Sequence, residues 1–99
     1  MNLSPAAQPS VSVTTEVVRS PNLLSTFVGE DVVIFDVGQG RYFSLEAIGA
    51  SIWHRLEQPV TVADLCDTLA LEYDAPRPTI EEDVVALLTD MAKSGLVRV

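Results

Sequence analysis

His54 and Cys66 are the single histidine and the single cysteine among the 99 residues, so nucleophile–base chemistry would have to be built from this pair. Such a pair needs hydrogen-bond reach and a third group to orient the base, and no third group offers itself. Cys66 shares the apolar stripe Val62, Leu65, Leu69 of its own helix, where cysteine acts as a small hydrophobe. One cysteine cannot close an internal disulfide, and no Cys/His spacing matches a metal site. Gly38 and Gly40 sit between strands and lead into no helix, so they form no phosphate cradle. Trp53 falls on an apolar helix face, where packing is its ordinary use. The sequence predicts a protein that is not an enzyme and holds no cofactor or metal.

Charge narrows the partners. The chain carries 14 acidic and 6 basic residues, a net charge of −8. Residues 1–29 contain only Glu16 and Arg19, so the whole excess lies on residues 30–99. Gripping phosphates requires the opposite balance, and anionic membrane surfaces are disfavoured for the same reason. The longest apolar run is Val84 to Leu88, far short of a membrane span. No basic residue precedes Arg19 and no apolar stretch has signal-peptide length, so a cytoplasmic, reducing setting is expected.

The elements follow from periodicity. Residues 1–20 read as a flexible arm, proline- and serine-rich over the first ten, and residues 21–99 as one folded domain. Within the arm, Val11 to Val18 is β-branched and reads equally as an added strand or as a segment that orders on contact. Leu23 to Val28, Asp31 to Val37 and Arg41 to Leu45 read as a three-stranded antiparallel meander turned at Gly29-Glu30 and Gly38-Gln39-Gly40. The middle strand is apolar on both faces, as a central strand should be. The period then becomes helical. Leu45, Ile48, Ile52, Trp53 and Leu56 mark a first helix over about 46–56. Thr61-x-x-Asp64 resembles a capping box opening a second helix that buries Val62, Leu65, Cys66, Leu69 and Tyr73. A second box, Thr79-x-x-Glu82, opens a third helix with Ile80, Val84, Leu87, Leu88 and Met91 inward, ended at Gly95. Strands followed by helices make a segregated α+β class.

The helix–connection–helix portion from Thr61 to Ser94 could be a helix-turn-helix, but a DNA reader lays its last helix against phosphates. Here that helix carries Glu81, Glu82, Asp83 and Asp90, with Lys93 opposite in sign and no base-reading Arg, Asn or Gln within it. The strand Arg41 to Leu45 is more suggestive. A meander leaves it on the sheet edge with one row of backbone groups unpaired. Arg41 and a five-residue length could be ordinary edge protection, yet an edge beside an amphipathic helix is also what an extended peptide uses when it adds as a strand.

The run Gly40-Arg41-Tyr42-Phe43-Ser44-Leu45, then Ile48-Gly49, Ile52-Trp53 and Leu56, resembles the PqqD-like family of peptide-recognition elements. Pro59-x-Thr61-Val62-x-x-Leu65, Tyr73, Asp83-Val84, Leu87-Leu88 and Gly95-Leu96-Val97 agree in order and spacing. The likeness covers about residues 23–97 and is greatest to the free-standing leader-binding proteins of lasso-peptide pathways. It implies a small winged-helix domain of three strands and three helices. It further implies a non-catalytic adaptor that takes the leader segment of a ribosomal precursor peptide as a strand beside Arg41 to Leu45, in a cleft completed by the third helix. The partners implied are a cysteine-protease-like leader peptidase and an ATP-dependent macrolactam synthetase. Two other readings stay open: a chaperone that hands a precursor to a radical enzyme in quinone-cofactor biosynthesis, and a winged-helix protein-interaction or DNA-binding module. Glu46 stands where the family commonly has Asn, a better helix cap, so the first helix could start elsewhere.

The expected peptide-binding residues are therefore Arg41, Tyr42, Phe43, Ser44 and Leu45 on the strand, and Asp83, Val84, Leu87, Leu88, Asp90 and Met91 on the helix. An apolar or aromatic leader side chain would enter between Phe43 or Leu45 and the wall formed by Val84, Leu87, Leu88 and Met91. Asp83 and Asp90 would favour a basic residue nearby.

Overall fold

A computed structural model describes residues 11–99; the first ten residues of the expected arm lie outside the described part. Strands β1 (Glu16–Arg19), β2 (Leu23–Val28), β3 (Asp31–Asp36) and β4 (Arg41–Leu45) are followed by helix α1 (Ala47–Arg55). A short β5 (Val60–Thr61), α2 (Val62–Glu72), α3 (Arg77–Lys93) and β6 (Val97–Arg98) complete the chain. The meander β2-β3-β4 is antiparallel throughout, with Val28 opposite Asp31 and Val33 opposite Ser44. Gly29 and Gly40 both take positive φ at its turns, the conformation that glycine adopts without a steric penalty. The α+β winged-helix architecture expected from the sequence is the one observed.

A second small sheet orders β5-β1-β6. Val17 is fully buried within it, so packed structure begins upstream of the boundary expected at residue 21. The choice left open for residues 11–18 resolves into two roles. Glu16 to Arg19 is a strand, and the backbone before it caps α2: Thr15 and Val13 carbonyls accept the N–H groups of Val62 and Ala63 at 3.0 and 2.9 Å. With Thr61 Oγ1 accepting from the Asp64 N–H at 3.2 Å, the first donors of α2 are satisfied, as a helix start requires. Thr61 is thus a true N-cap, though the Asp64 side chain makes no return bond to close a full box.

The second expected box does not form. Helix α3 begins at Arg77 with Pro76 as its cap and Pro78 in the first turn, and no side chain caps it. Proline fits there because its missing N–H would have no partner in any case. The start is held instead by Arg77, which bonds Asp67 of α2 at 2.6 Å and Glu81 one turn on at 2.9 Å. At the other end the N–H of Leu96 reaches the carbonyl of Met91 and that of Gly95 reaches Ala92, with Gly95 at φ +81. This is a Schellman ending, and it turns the chain into β6.

The core joins Val17, Val32 and Ile34 to Ile52, Trp53, Leu56, Val62, Leu65, Cys66, Leu69, Ile80, Val84, Leu88 and Met91. Only the inward face of β2-β3-β4 is covered by this core. On the outward face Leu24 is 63% and Tyr42 72% exposed.

Candidate peptide-binding site

The meander has two edges, β2 and β4. Val37 donates its N–H to the Asn22 carbonyl at 3.2 Å, while the Asp36 carbonyl accepts from Gly40 at 2.8 Å, on the opposite side of β3. Backbone direction alternates along a strand, so Val33, Phe35 and Val37 bond toward β2. Val32, Ile34 and Asp36 then bond toward their β4 partners Leu45, Phe43 and Arg41. Tyr42 and Ser44 are left with their N–H and C=O groups aimed away from the sheet. This open row is what an added strand pairs with.

Side chains alternate as well. Phe43 and Leu45 are half-buried on the helix side, while Tyr42 and Ser44 are exposed on the outward side. The Tyr42 ring lies 4.6 Å from that of Phe35, across to the neighbouring strand, so Tyr42 belongs to the outward face and not to a cleft under α3.

The side of α3 that faces β4 carries Leu87 and, just past the helix end, Ser94; helical spacing puts Asp83 and Asp90 on the same side. Two contacts fix this orientation. A β-carbon on Gly49 would stand 3.7 Å from Leu87 Cδ2 and 3.3 Å from Leu45 Cβ. Arg41 Nη2 donates to the Ser94 carbonyl at 3.2 Å, with its guanidinium 5.1 Å from the Phe43 ring centre. Between these two points the backbones of β4 and α3 do not approach closely. Half-buried Phe43, Leu45 and Leu87 therefore line an apolar furrow beside the open edge, closed at one end by the Arg41–Ser94 bond.

Contacts bring Arg41, Phe43, Leu45 and Leu87 to the furrow, with Ser44 on its edge; Asp83 and Asp90 are exposed and share the side of Leu87 by helical spacing. Val84, Leu88 and Met91 do not reach the furrow: each is buried to 2% exposure or less, facing the core. The expected wall of four apolar helix residues shrinks to Leu87, because a helix packed against α2 and β6 needs those three for its own core. Two contributors escaped the sequence reading. Gly49 has its signal in the Gly itself, since a side chain there would crowd Leu45. The Ser94 carbonyl is backbone and leaves no signal.

Against the family models, residues 31–97 match Coenzyme PQQ synthesis protein D, PqqD. The chain belongs to the PqqD family. Among solved structures this PqqD-family chain is similar to TbiB1 in complex with the TbiA(beta) leader peptide, at 31% identity and a TM-score of 0.77, over 82% of this chain and 94% of that one. It is also similar to lasso peptide synthetase B1 complexed with the leader peptide, at 27% identity and a TM-score of 0.76, over 86% and 100%. No curated protein matches.

Burial pushes the Cys66 thiol up from its ordinary pKa, with Arg77 opposing; a neutral buried thiol is a poor nucleophile. His54 lies on the surface at the far edge, its ring 6.0 Å from Phe27. Among the described residues no group of three metal-ligating side chains forms, and no helix is long and apolar enough to cross a membrane.

Proposed function

We propose that this PqqD-family chain is a non-catalytic adaptor that binds the leader segment of a ribosomal precursor peptide as a fourth strand on β4, in lasso-peptide biosynthesis. The observation that carries the reading is the open row at Tyr42 and Ser44 running beside the furrow of Phe43, Leu45 and Leu87. Backbone pairing supplies affinity, and alternate leader side chains entering the furrow supply discrimination. The β2 edge is the poorer platform. Ser25 there is tied to Trp53 Nε1 at 3.1 Å, and the Phe27 ring is engaged edge-on by His54. Two similar structures hold leader peptides, which supports the choice of ligand.

An adaptor needs a second surface, and the outward face of the meander provides one. Leu24, Thr26, Val33, Phe35 and Tyr42 surround a shallow depression of about 170 Å³, with no charged residue among them in a chain of net charge −8. Bare apolar sheet of this kind marks a protein contact. The processing enzyme is the occupant: a cysteine-protease-like leader peptidase first, an ATP-dependent macrolactam synthetase after it. Titration of the protein with candidate leader peptides of lasso-peptide precursors tests the reading; saturable binding at micromolar or lower concentration is expected, and no binding would overturn it. The neighbouring genes separate it from the quinone-cofactor chaperone, which would sit beside a radical enzyme.

A further inference from the structure

The two ends of the furrow differ in charge, and an edge strand by itself cannot choose the direction or offset of the strand it accepts. At the Ser94 end stands a cation, the Arg41 guanidinium, held on the Ser94 carbonyl and over Phe43. At the Leu45 end nothing offsets the acids. Glu46 directly follows β4, its side chain makes no cap to α1, and Asp83 lies one helical turn before Leu87. The ion pairs among the described residues are Arg55–Glu72, Arg77–Asp67 and Arg77–Glu81, so both acids at this end are without a cation. The edge makes the site; the charges orient its occupant.

Resting on the leader-binding reading, we propose that the furrow selects a leader whose basic residues lie on the flank crossing the Leu45 end, with Glu46 and Asp83 as the specificity-determining residues. Antiparallel pairing is the more stable ladder, and β4 runs from Arg41 to Leu45. The flank at the Leu45 end is then the N-terminal one. The partner chemistry is a strand reading basic, then apolar, then neutral, from N- to C-terminus. A basic flank at the other end would meet Arg41 and lose contact with Glu46 and Asp83.

The probes are two fluorescein-labelled synthetic peptides that share one apolar core. One carries Lys-Lys before the core and Gln-Gln after it; the other exchanges the pairs. Net charge is equal, so general attraction to an acidic protein cancels and placement alone is read. Full-length protein in low salt should bind the N-terminal Lys version about five- to tenfold more tightly, the scale of two exposed pairs. The preference should shrink toward unity in about 1 M salt, where the screening length is roughly 3 Å. Glu46→Gln with Asp83→Asn, checked for an unchanged unfolding midpoint, should lose the preference. Equal binding of both probes by the native protein, with Ser44→Pro still abolishing it, would overturn the charge proposal and leave strand addition standing. A reversed preference would also overturn it. Failure of both probes to bind would remove the leader-binding reading and this proposal together.

Discussion

The Arg19 guanidinium donates to the carbonyl of Trp53 at 2.7 and 3.0 Å while lying 4.5 Å from the centre of the same residue's ring. A strand placed before the meander thereby holds the C-terminal end of α1, where a cation complements the helix dipole. Burial lowers the Arg19 pKa, with Glu57 opposing, but it starts from so high a value that the group stays charged at any working pH.

Residues 16–19 are therefore part of the folded body. A chain shortened to begin at Pro21 would lose Val17 from the core and two carbonyl caps from α2. It should unfold at markedly lower urea than the full chain, and Val17→Ala alone should cost about 2 kcal/mol. Urea unfolding followed by Trp53 fluorescence measures both. Equal midpoints for the shortened and full chains would show β1 to be dispensable.

Why this strand was ambiguous in the sequence is physical. Val11 to Val18 carries β propensity, but its partners are the two-residue strands β5 and β6, too short to announce themselves. The meander and helices were legible because their patterns span whole elements: Ile48, Ile52 and Leu56 can share only one helix face. The start of α3 was misread because Thr79-x-x-Glu82 imitates a cap, whereas Pro76 and Pro78 favour the earlier start. The site was half legible. Edge position and the alternation of Phe43 against Ser44 followed from strand order. Val84, Leu88 and Met91 are inward as the periodicity expects, but their second use as a peptide wall fails, because a helix covered on two sides and one covered on a single side share an apolar stripe.

Ala47 opens α1 with φ +41, a conformation that costs a residue with a β-carbon roughly 1–2 kcal/mol. Ala47→Gly should raise stability by up to about 1 kcal/mol after glycine's own entropy loss, and Ala47→Val should lower it. Thermal unfolding of the three proteins measures the order; a less stable glycine variant would contradict the strain.

Cys66 should be silent to thiol reagents in the native state. Its folded pKa is raised, so the native protein holds this proton where the unfolded chain releases it. The sign follows from linkage: the contribution is complete below the unfolded thiol's pKa and declines as pH rises through and above it. Alkylation by iodoacetamide at pH 8 should track unfolding across a urea series. Rapid labelling without denaturant would show the thiol to be accessible.

The outward sheet face and the furrow should separate by mutation. Leu24→Asp with Thr26→Asp places charge on the bare face and leaves β4 and Leu87 untouched. Leader affinity should change less than about threefold, while leader removal by the partner leader peptidase should fall at least tenfold. Undiminished removal would place the enzyme's contact elsewhere.

Strand addition on β4 is the central claim, and one pair of proline substitutions reads it most directly. Ser44 aims its N–H at the open edge and Phe43 aims its own at Ile34, so proline removes an outward donor in one case and a ladder bond in the other. Isothermal titration with the leader, beside thermal unfolding of each variant, should show Ser44→Pro folded with leader affinity reduced at least tenfold. Phe43→Pro should be broadly destabilised. A folded Ser44→Pro protein that binds the leader as tightly as the native chain would contradict the account.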